Sequence, residues 1–135
     1  MSITLDKNGD SIALPPDLLW SDEFAWSAVS QSAERSITGA YLIDAHTRTA
    51  GRPITLRGKE NVAWLQRADA KALKAWTDLP LQVFTLTHNG TPYAVMFDHG
   101  TDETSQAMEV TPVVEFSDPV DGDYYCSLTL RFFTV

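Results

Sequence analysis

The stretch VFTLTHNGTPYAVMF, residues 83–97, decides the fold class of this chain. Large apolar side chains recur at every second position on both sides of Asn89-Gly90. Asn-Gly between two alternating runs is the strongest local signal for a β-hairpin, because both residues accept the positive φ angles of a type I′ turn. We therefore predict two antiparallel strands that meet at this turn.

Alternation of the same kind recurs toward both ends of the chain. Ile3 and Leu5 are separated from Ile12 and Leu14 by the turn residues Asn-Gly-Asp at 8–10, which predicts a second hairpin. The last strand is predicted to carry four apolar side chains on one face, namely Cys126, Leu128, Leu130 and Phe132. Both ends of the chain are therefore expected to lie in a sheet.

Further strands are predicted between these ends. Residues 24–29 alternate as a half-buried strand does, with Phe24 and Trp26 on one face. A second, longer strand is predicted to carry Ile37, Tyr41 and Ile43 on one side, with Gly39 at a bulge or a close contact. Ile54 and Leu56 predict a short strand after the Gly-Arg-Pro sequence at 51–53.

One segment, from about Arg67 to Thr77, has the period of a helix. Its narrow apolar stripe consists of Leu65, Ala68, Ala72, Leu73 and Trp76. Asp69 near the start, with Lys71 and Lys74 toward the end, matches the sign of the helix dipole. The whole chain, 1–135, is therefore predicted to be one mainly β (α+β) domain. We expect an antiparallel β-sandwich or split barrel with one short α-helix packed on it.

The charge of the chain is unevenly distributed. From Ala75 to Leu130 there is no Lys or Arg but there are nine acidic residues, whereas residues 1–74 hold nine acids and nine bases. The C-terminal half therefore supplies almost all of the net charge of −8. An acidic chain of this kind disfavours nucleic-acid recognition, while a neutral half beside an acidic half suits oriented assembly.

The sequence contains no pattern typical of an enzyme or a metal site, so no catalytic, cofactor-binding or metal-binding residue is predicted. The histidines His46, His88 and His99 lack the spacing that a zinc site requires, and a hydrolase using Asp98 and His99 is a weaker alternative. The acidic turn around Gly122 has Pro119 and Val120 where calcium ligands would fall. A non-enzymatic protein is therefore expected.

The sequence contains few features that indicate targeting or redox chemistry. The N-terminus has no basic segment followed by an apolar run, and no stretch is long and apolar enough to span a membrane. The single cysteine, Cys126, predicts a small core residue in a reducing compartment. The four tryptophans predict core or interface anchors, with a sugar-stacking platform as the alternative.

Seven bases cluster within a short part of the sequence, between Arg48 and Lys74. Two interpretations stay open here: a solvated helix face with its loops, or a basic patch that meets the acidic half of a neighbouring copy. In the second interpretation, the proposed subunit interface joins Arg52, Arg57 and Arg67 to an acidic loop over residues 98–109 of the next copy. The acidic residues proposed for this interface are Asp98, Asp102 and Glu103.

Several of these segments together resemble a known family. They are Gly51-Arg52-Pro53-Ile54-Thr55-Leu56, Trp64-Leu65-x-Arg67-Ala68-Asp69 followed by Leu73, Phe84-Thr85-Leu86, Tyr93-Ala94-Val95-Met96-Phe97, and the upstream run Val29-x-Gln31-Ser32-x-Glu34 with Gly39. Across residues 26–116 the chain is similar to the distal tail protein and related tail-tip (baseplate) proteins of long-tailed bacteriophages. The motifs are structural rather than chemical.

The resemblance implies a tail-tube-like β domain and a structural role in the virion tail. Proteins of this family form a homo-oligomeric, six-fold (hexameric) ring that joins the tail tube protein to the baseplate hub and surrounds the DNA exit channel. DNA would pass through the channel without specific binding, and assembly would take place in the host cytoplasm. The alternatives are another phage tail component, such as a tube subunit or tail terminator, or a small β-barrel that binds a ligand or glycan.

Overall fold

The structure of the protein is a computed structural model that describes residues 2–100, 107–114 and 117–135. In these ranges the chain forms eleven strands and one helix. The strands are β1 (Ile3–Lys7), β2 (Asp10–Leu14), β3 (Leu19–Trp20), β4 (Val29–Arg35), β5 (Tyr41–Thr47), β6 (Pro53–Arg57), β7 (Leu65–Gln66), β8 (Phe84–His88), β9 (Thr91–Phe97), β10 (Met108–Pro112) and β11 (Tyr124–Thr134). The helix, α1, spans Arg67–Thr77. The prediction of a mainly β fold with one short helix on antiparallel strands is confirmed.

Nine of the described strands belong to one antiparallel sheet, which we call the body together with α1. Its order is β2-β1-β8-β9-β11-β6-β3, and β7 and β10 also pair with β11. The predicted hairpins at residues 3–14 and 83–97 form β1–β2 and β8–β9, so both predictions are confirmed. The remaining two strands, β4 and β5, pair only with each other in the described ranges.

The last strand, β11, holds the body sheet together. It pairs with β7 and β6 along one edge and with β10 and β9 along the other. Ser127 has a φ of 58° and lies where the pairing with β10 shifts register, which marks a β-bulge. All four apolar residues predicted to share one face of this strand are buried, as the sequence indicates: Cys126, Leu128, Leu130 and Phe132.

The body sheet curls around its core. Trp20 on β3 lies with its ring centroid 5.3 Å from that of His88 and 5.5 Å from that of Tyr93. In a flat sheet, the path from β3 through β6 and β11 to β9 spans roughly 14 Å, because neighbouring strands lie about 4.8 Å apart. The contact of these rings across three strand spacings indicates a curved sheet, as in a split barrel.

Helix α1 begins and ends at the predicted residues and packs on this core through Trp76, whose ring stacks 5.5 Å from that of Phe84. Its buried residues are Ala70, Leu73 and Thr77, while Ala68 of the predicted stripe is exposed. The face of the helix that contacts the core is therefore rotated slightly about the helix axis, relative to the apolar stripe predicted from the sequence. The spacing of three and four residues is preserved.

Two sequence predictions between residues 24 and 43 are wrong. Residues 24–28 form no strand, and Phe24 is 91% exposed. A long-range contact lies at the start of this segment: the Asp22 carboxylate accepts hydrogen bonds from the backbone N–H and the hydroxyl of Thr55, and residues 21–25 form a turn. The predicted strand across Gly39 is likewise interrupted, because residues 36–40 form a turn in which Gly39 has a φ of 87°.

The acidic loop predicted over residues 98–109 is only partly described. His99 is exposed, but Ala107 is buried in the core and Met108 begins β10. The middle of the predicted loop, residues 101–106, lies outside the described residues.

Candidate interaction surface

The strands β4 and β5, with the turn at 36–40 between them, form a two-stranded extension that we call the arm (residues 29–47). Seven residue pairs hold the strands in antiparallel register, from Val29 opposite Thr47 to Arg35 opposite Tyr41. At about 3.3 Å per residue, the paired part is roughly 23 Å long. Every residue of β5 is exposed, and so is every residue of β4 except Ser30, which is half-buried.

The tip of the arm is fixed by its own hydrogen bonds. The backbone N–H of Ser36 donates to the carbonyl of Ala40 at 2.7 Å, and that of Gly39 donates to the carbonyl of Ser36 at 2.9 Å. The Arg35 guanidinium lies 4.2 Å from the ring centroid of Tyr41 and donates to the hydroxyl of Tyr41 and to the carbonyl of Gly39. The arm therefore has a defined local structure, although no other strand among the described residues pairs with it.

The register gives the arm two chemically different faces, because paired residues on neighbouring strands share a face. One face, the apolar face, carries Val29, Ala33, Tyr41, Ile43 and Ala45, together with Gln31, Arg35 and Thr47. The other face carries Ser30, Ser32, Glu34, Leu42, Asp44 and His46. The arm thus has the alternation of a half-buried sheet.

That alternation is not matched by burial within the chain. On the apolar face Val29 is 50%, Tyr41 59% and Ile43 60% exposed. An isolated two-stranded hairpin is marginally stable in water, and clustered exposed apolar side chains mark interaction surfaces. The arm is therefore the strongest candidate for a contact with another molecule.

A second exposed apolar surface lies on the body, at the end of β11 that begins with Tyr124. The rings of Trp64 and Tyr124 are in contact, with centroids 6.0 Å apart, and Val120 in the preceding turn is also exposed. The Trp64 indole N–H donates to the carbonyl of Asn61 at 2.9 Å, so that this ring is held in place. We call Trp64 and Tyr124 the aromatic patch.

The acidic turn beside the aromatic patch has a structural role in the helix. The carbonyls of Asp123 and Asp121 accept the backbone N–H groups of Arg67 and Ala68, which satisfies two donors at the start of α1. Lys71 donates to the Asp121 carboxylate at 2.7 Å, and this hydrogen bond and its charge hold the pKa of Asp121 below its ordinary value. Both side chains are largely exposed, so the pair adds little to stability.

The three arginines proposed for a subunit interface lie at separate places. Arg52 and Arg57 stand at opposite ends of β6, roughly 17 Å apart at 3.3 Å per residue. Arg52 is half-buried: it donates to the carbonyl of Glu23 and lies over the ring of Trp20. Arg67, at the start of α1, donates to the hydroxyl of Tyr125 at 2.6 Å.

The acidic side of the predicted interface is described only at Asp98. Its backbone N–H donates to the carbonyl of Arg131, and its carboxylate accepts the N–H of Gly100. Asp102 and Glu103 lie outside the described residues. The predicted pairing of these acids with Arg52, Arg57 and Arg67 of another copy stays a prediction.

The described part of the chain shows no assembled chemical site. No group of three or more His, Cys, Asp or Glu residues in it is placed to hold a metal ion. His46 shares the polar face of the arm with Ser30 and Asp44, but no hydrogen bond in the described residues joins them. The weaker hydrolase hypothesis, which used Asp98 and His99, stays untested.

Two open depressions on the described part of the body are lined by charged side chains. A cleft of about 420 Å³ separates α1 from β10 and is lined by Arg67, Lys71, Lys74, Met108, Val110 and Tyr125, among others. A groove of about 700 Å³ follows the outer face of β6 and β11, where Thr55, Arg57, Ser127, Thr129 and Arg131 line it. Both depressions combine bases with Glu109. Among the described residues, neither of these two depressions is lined by a histidine, so neither places an imidazole beside other polar side chains.

The tryptophans and the cysteine have different environments. Trp20 is buried and Trp76 packs against the core, whereas Trp64 is 48% exposed. The four tryptophans therefore do not form one exposed row of the kind that stacks on sugars. Cys126 is a buried free thiol, as predicted for a core residue.

Comparison of the chain with protein-family models, with curated proteins and with solved structures finds no match. Within the described residues, no helix is both long enough and apolar enough to cross a membrane.

Proposed function

We propose that this protein is a structural, non-enzymatic component of a phage tail tip that assembles with copies of itself into a ring. The ring would join the tail tube to the baseplate hub and surround the channel through which DNA leaves. The observation that carries the proposal is the arm, whose apolar face is exposed although its residues alternate like those of a half-buried sheet. The resemblance of residues 26–116 to tail-tip proteins supplies the biological setting.

The free energy of burial favours covering the arm. Fully burying a side chain such as Val or Ile contributes about 1.5–3 kcal/mol relative to exposure, as an upper estimate. Val29, Tyr41 and Ile43 each retain half or more of their exposure, so most of that contribution is not realised within the chain. A complex in which a neighbouring molecule covers this face would be stabilised by that burial.

The geometry of the arm favours head-to-tail assembly. A projecting hairpin that docks on a different surface of the next copy makes a head-to-tail contact, which closes into a ring when the rotation allows and otherwise continues as a filament. A chain that carries both an arm and a separate exposed apolar surface on its body has the two halves of such a contact. The six-fold count comes from the resemblance alone.

The acidic composition is consistent with a channel protein. Electrostatic repulsion between an acidic wall and the phosphate backbone would let DNA pass without binding. The C-terminal half of the chain supplies this charge. In this proposal the other partners are the tail tube protein and the hub proteins, and no cofactor is required.

Electron microscopy of the purified full chain tests the proposal, combined with light scattering over a range of protein and salt concentrations. We expect closed rings of a single layer and a mass that rises with protein concentration. Open-ended tubes would instead indicate a tube subunit, which continues to polymerise. A monomer at every concentration and salt level would contradict self-assembly altogether.

A further inference from the structure

The geometry points to a specific docking site for the arm: the apolar face of the arm in one copy packs on the aromatic patch of a second copy. This inference rests on the proposed self-assembly and names the surface that it uses. The occupant is a second copy because the chain itself contains both surfaces, and each is exposed. Within the described residues, the two surfaces belong to different sheets of the fold.

The aromatic patch is pre-organised for such a contact. Trp64 is held by its hydrogen bond to the carbonyl of Asn61, and Tyr124 is held in β11 by its pairing with Gln66. Their rings touch each other while remaining 48% and 46% exposed. Trp and Tyr are the residues most enriched at interface hot spots, because they bury a large area with little loss of side-chain freedom.

Charge complementarity favours the same pairing. The apolar face of the arm ends in Arg35, which makes no ion pair in the described part of the chain. The turn beside the aromatic patch carries Asp118, Asp121 and Asp123 within six positions. Lys71 pairs with Asp121, whereas Asp118 and Asp123 form no ion pair among the residues that the structure describes. An arginine approaching this turn would therefore meet uncompensated negative charge.

Another exposed apolar surface, formed by Leu79, Leu81 and Val83 after α1, is the main competitor. Leu81 is 87% exposed and Val83 47%. This surface lacks an aromatic anchor among its exposed residues, and the acid beside it, Asp78, is already paired with Lys74 at 3.0 Å. The aromatic patch therefore offers the arm an exposed aromatic anchor and neighbouring acids that form no ion pair in the described residues, and the competing surface offers neither.

The first test compares Trp64→Ala with Val83→Ala in the full chain, because the two residues have nearly the same fractional exposure, 48% and 47%. Sedimentation measures the dissociation constant for self-association, and thermal unfolding verifies that each variant is folded. We expect Trp64→Ala to raise the dissociation constant about tenfold or more, as loss of a hot-spot residue does. Val83→Ala is expected to leave it within about twofold of the wild type.

The second test locates the contact by cross-linking with a short bis-maleimide. Two singly substituted proteins, Ala45→Cys on the apolar face of the arm and Gln66→Cys beside Tyr124, are mixed. The wild type, whose only thiol is buried, gives the background. Controls replace one partner: Asp44→Cys places the thiol on the opposite face of the arm, and Gln82→Cys places it beside Leu81.

The outcomes separate the inference from the proposed function. Cross-linking of Ala45→Cys to Gln66→Cys well above both controls, with weakened assembly in Trp64→Ala, supports the docking site. If Trp64→Ala still forms oligomers and Ala45→Cys cross-links to Gln82→Cys instead, the aromatic patch is not the docking site of the arm. Self-assembly of the protein would still stand. A wild type that stays monomeric overturns both.

Discussion

The two hairpins β8–β9 and β4–β5 are both antiparallel strand pairs, but they differ in how far they are buried. The β8–β9 hairpin has five ladder pairs and lies between β1 and β11, with Phe84, Leu86 and Val95 almost fully buried. The β4–β5 hairpin, the arm, has seven ladder pairs, yet both faces remain exposed. The longer ladder is therefore on the less buried hairpin. Burial in this fold depends on which element covers a strand pair rather than on how many hydrogen bonds it makes.

This difference separates the stability of the body from the function of the arm. In the body, Phe97 packs between Phe84 and Phe132 at centroid distances of 5.2 and 4.7 Å, and such contacts stabilise the fold itself. In the arm, apolar residues contribute little to the isolated chain and remain available to a neighbour. Substitutions should therefore divide into two classes, one affecting unfolding and the other affecting association.

The largest expected contrast comes from the same substitution in both hairpins. Leu86→Ala removes a side chain with no exposed surface and should lower the free energy of unfolding by about 2–5 kcal/mol. Leu42→Ala removes one that is 59% exposed and should change it by no more than about 0.5 kcal/mol. Urea denaturation at a protein concentration low enough for monomers measures both values. Equal effects would remove the distinction between body and arm.

A smaller effect is expected where the loop after β6 approaches β11. A Cβ atom on Gly58 would lie 2.6 Å from the Cβ of Ala63 and 2.9 Å from the carbonyl oxygen of Leu128. Gly58→Ala should therefore lower the free energy of unfolding by about 1–3 kcal/mol. Gly122→Ala is the control, because no atom lies within 4 Å of its added Cβ, and it should be almost neutral. Denaturation curves in which the two variants coincide would show that the body is less tightly packed at this point.

The smallest effect concerns the ion pair beside the aromatic patch. Because Lys71 lowers the pKa of Asp121, Lys71→Met should raise that pKa toward its ordinary value. The pair stabilises the folded state above the pKa of an unfolded Asp, and this contribution is lost as the pH falls through the lowered folded value. Carboxyl NMR titration measures the shift, and Lys74→Met, whose lysine pairs with Asp78, is the control. An unchanged titration of Asp121 in Lys71→Met would contradict the assignment.

Local patterns in the sequence predict most of the body. The hairpins at residues 3–14 and 83–97, the helix Arg67–Thr77 and the buried face of β11 are confirmed because turn chemistry and residue spacing act over short distances. The strand predicted at 24–29 is wrong over residues 24–28, where the chain follows a turn whose Asp22 accepts hydrogen bonds from Thr55, 33 positions away in the chain. No local sequence pattern predicts a contact between residues so far apart in the chain.

The arm was only partly predictable for a related reason. Alternation around Tyr41 and Ile43 indicates a sheet with one covered face, but it does not indicate which molecule provides the cover. The sequence predicts a bulge or a close contact at Gly39, whereas the structure places it in the turn at the tip of a hairpin. Trp64 likewise becomes a candidate contact residue only once the structure shows its exposure beside Tyr124.

The most direct measurement compares two adjacent residues of the arm that differ in face but hardly in exposure. Ile43, 60% exposed, lies on the apolar face, and Leu42, 59% exposed, lies on the other. Sedimentation equilibrium of the wild type, Ile43→Ser and Leu42→Ser should show an oligomer in the wild type and in Leu42→Ser. In Ile43→Ser the dissociation constant should be about tenfold higher or more. Equal masses for the two variants at every concentration, or a monomeric wild type, would contradict the claim that the apolar face of the arm assembles the protein.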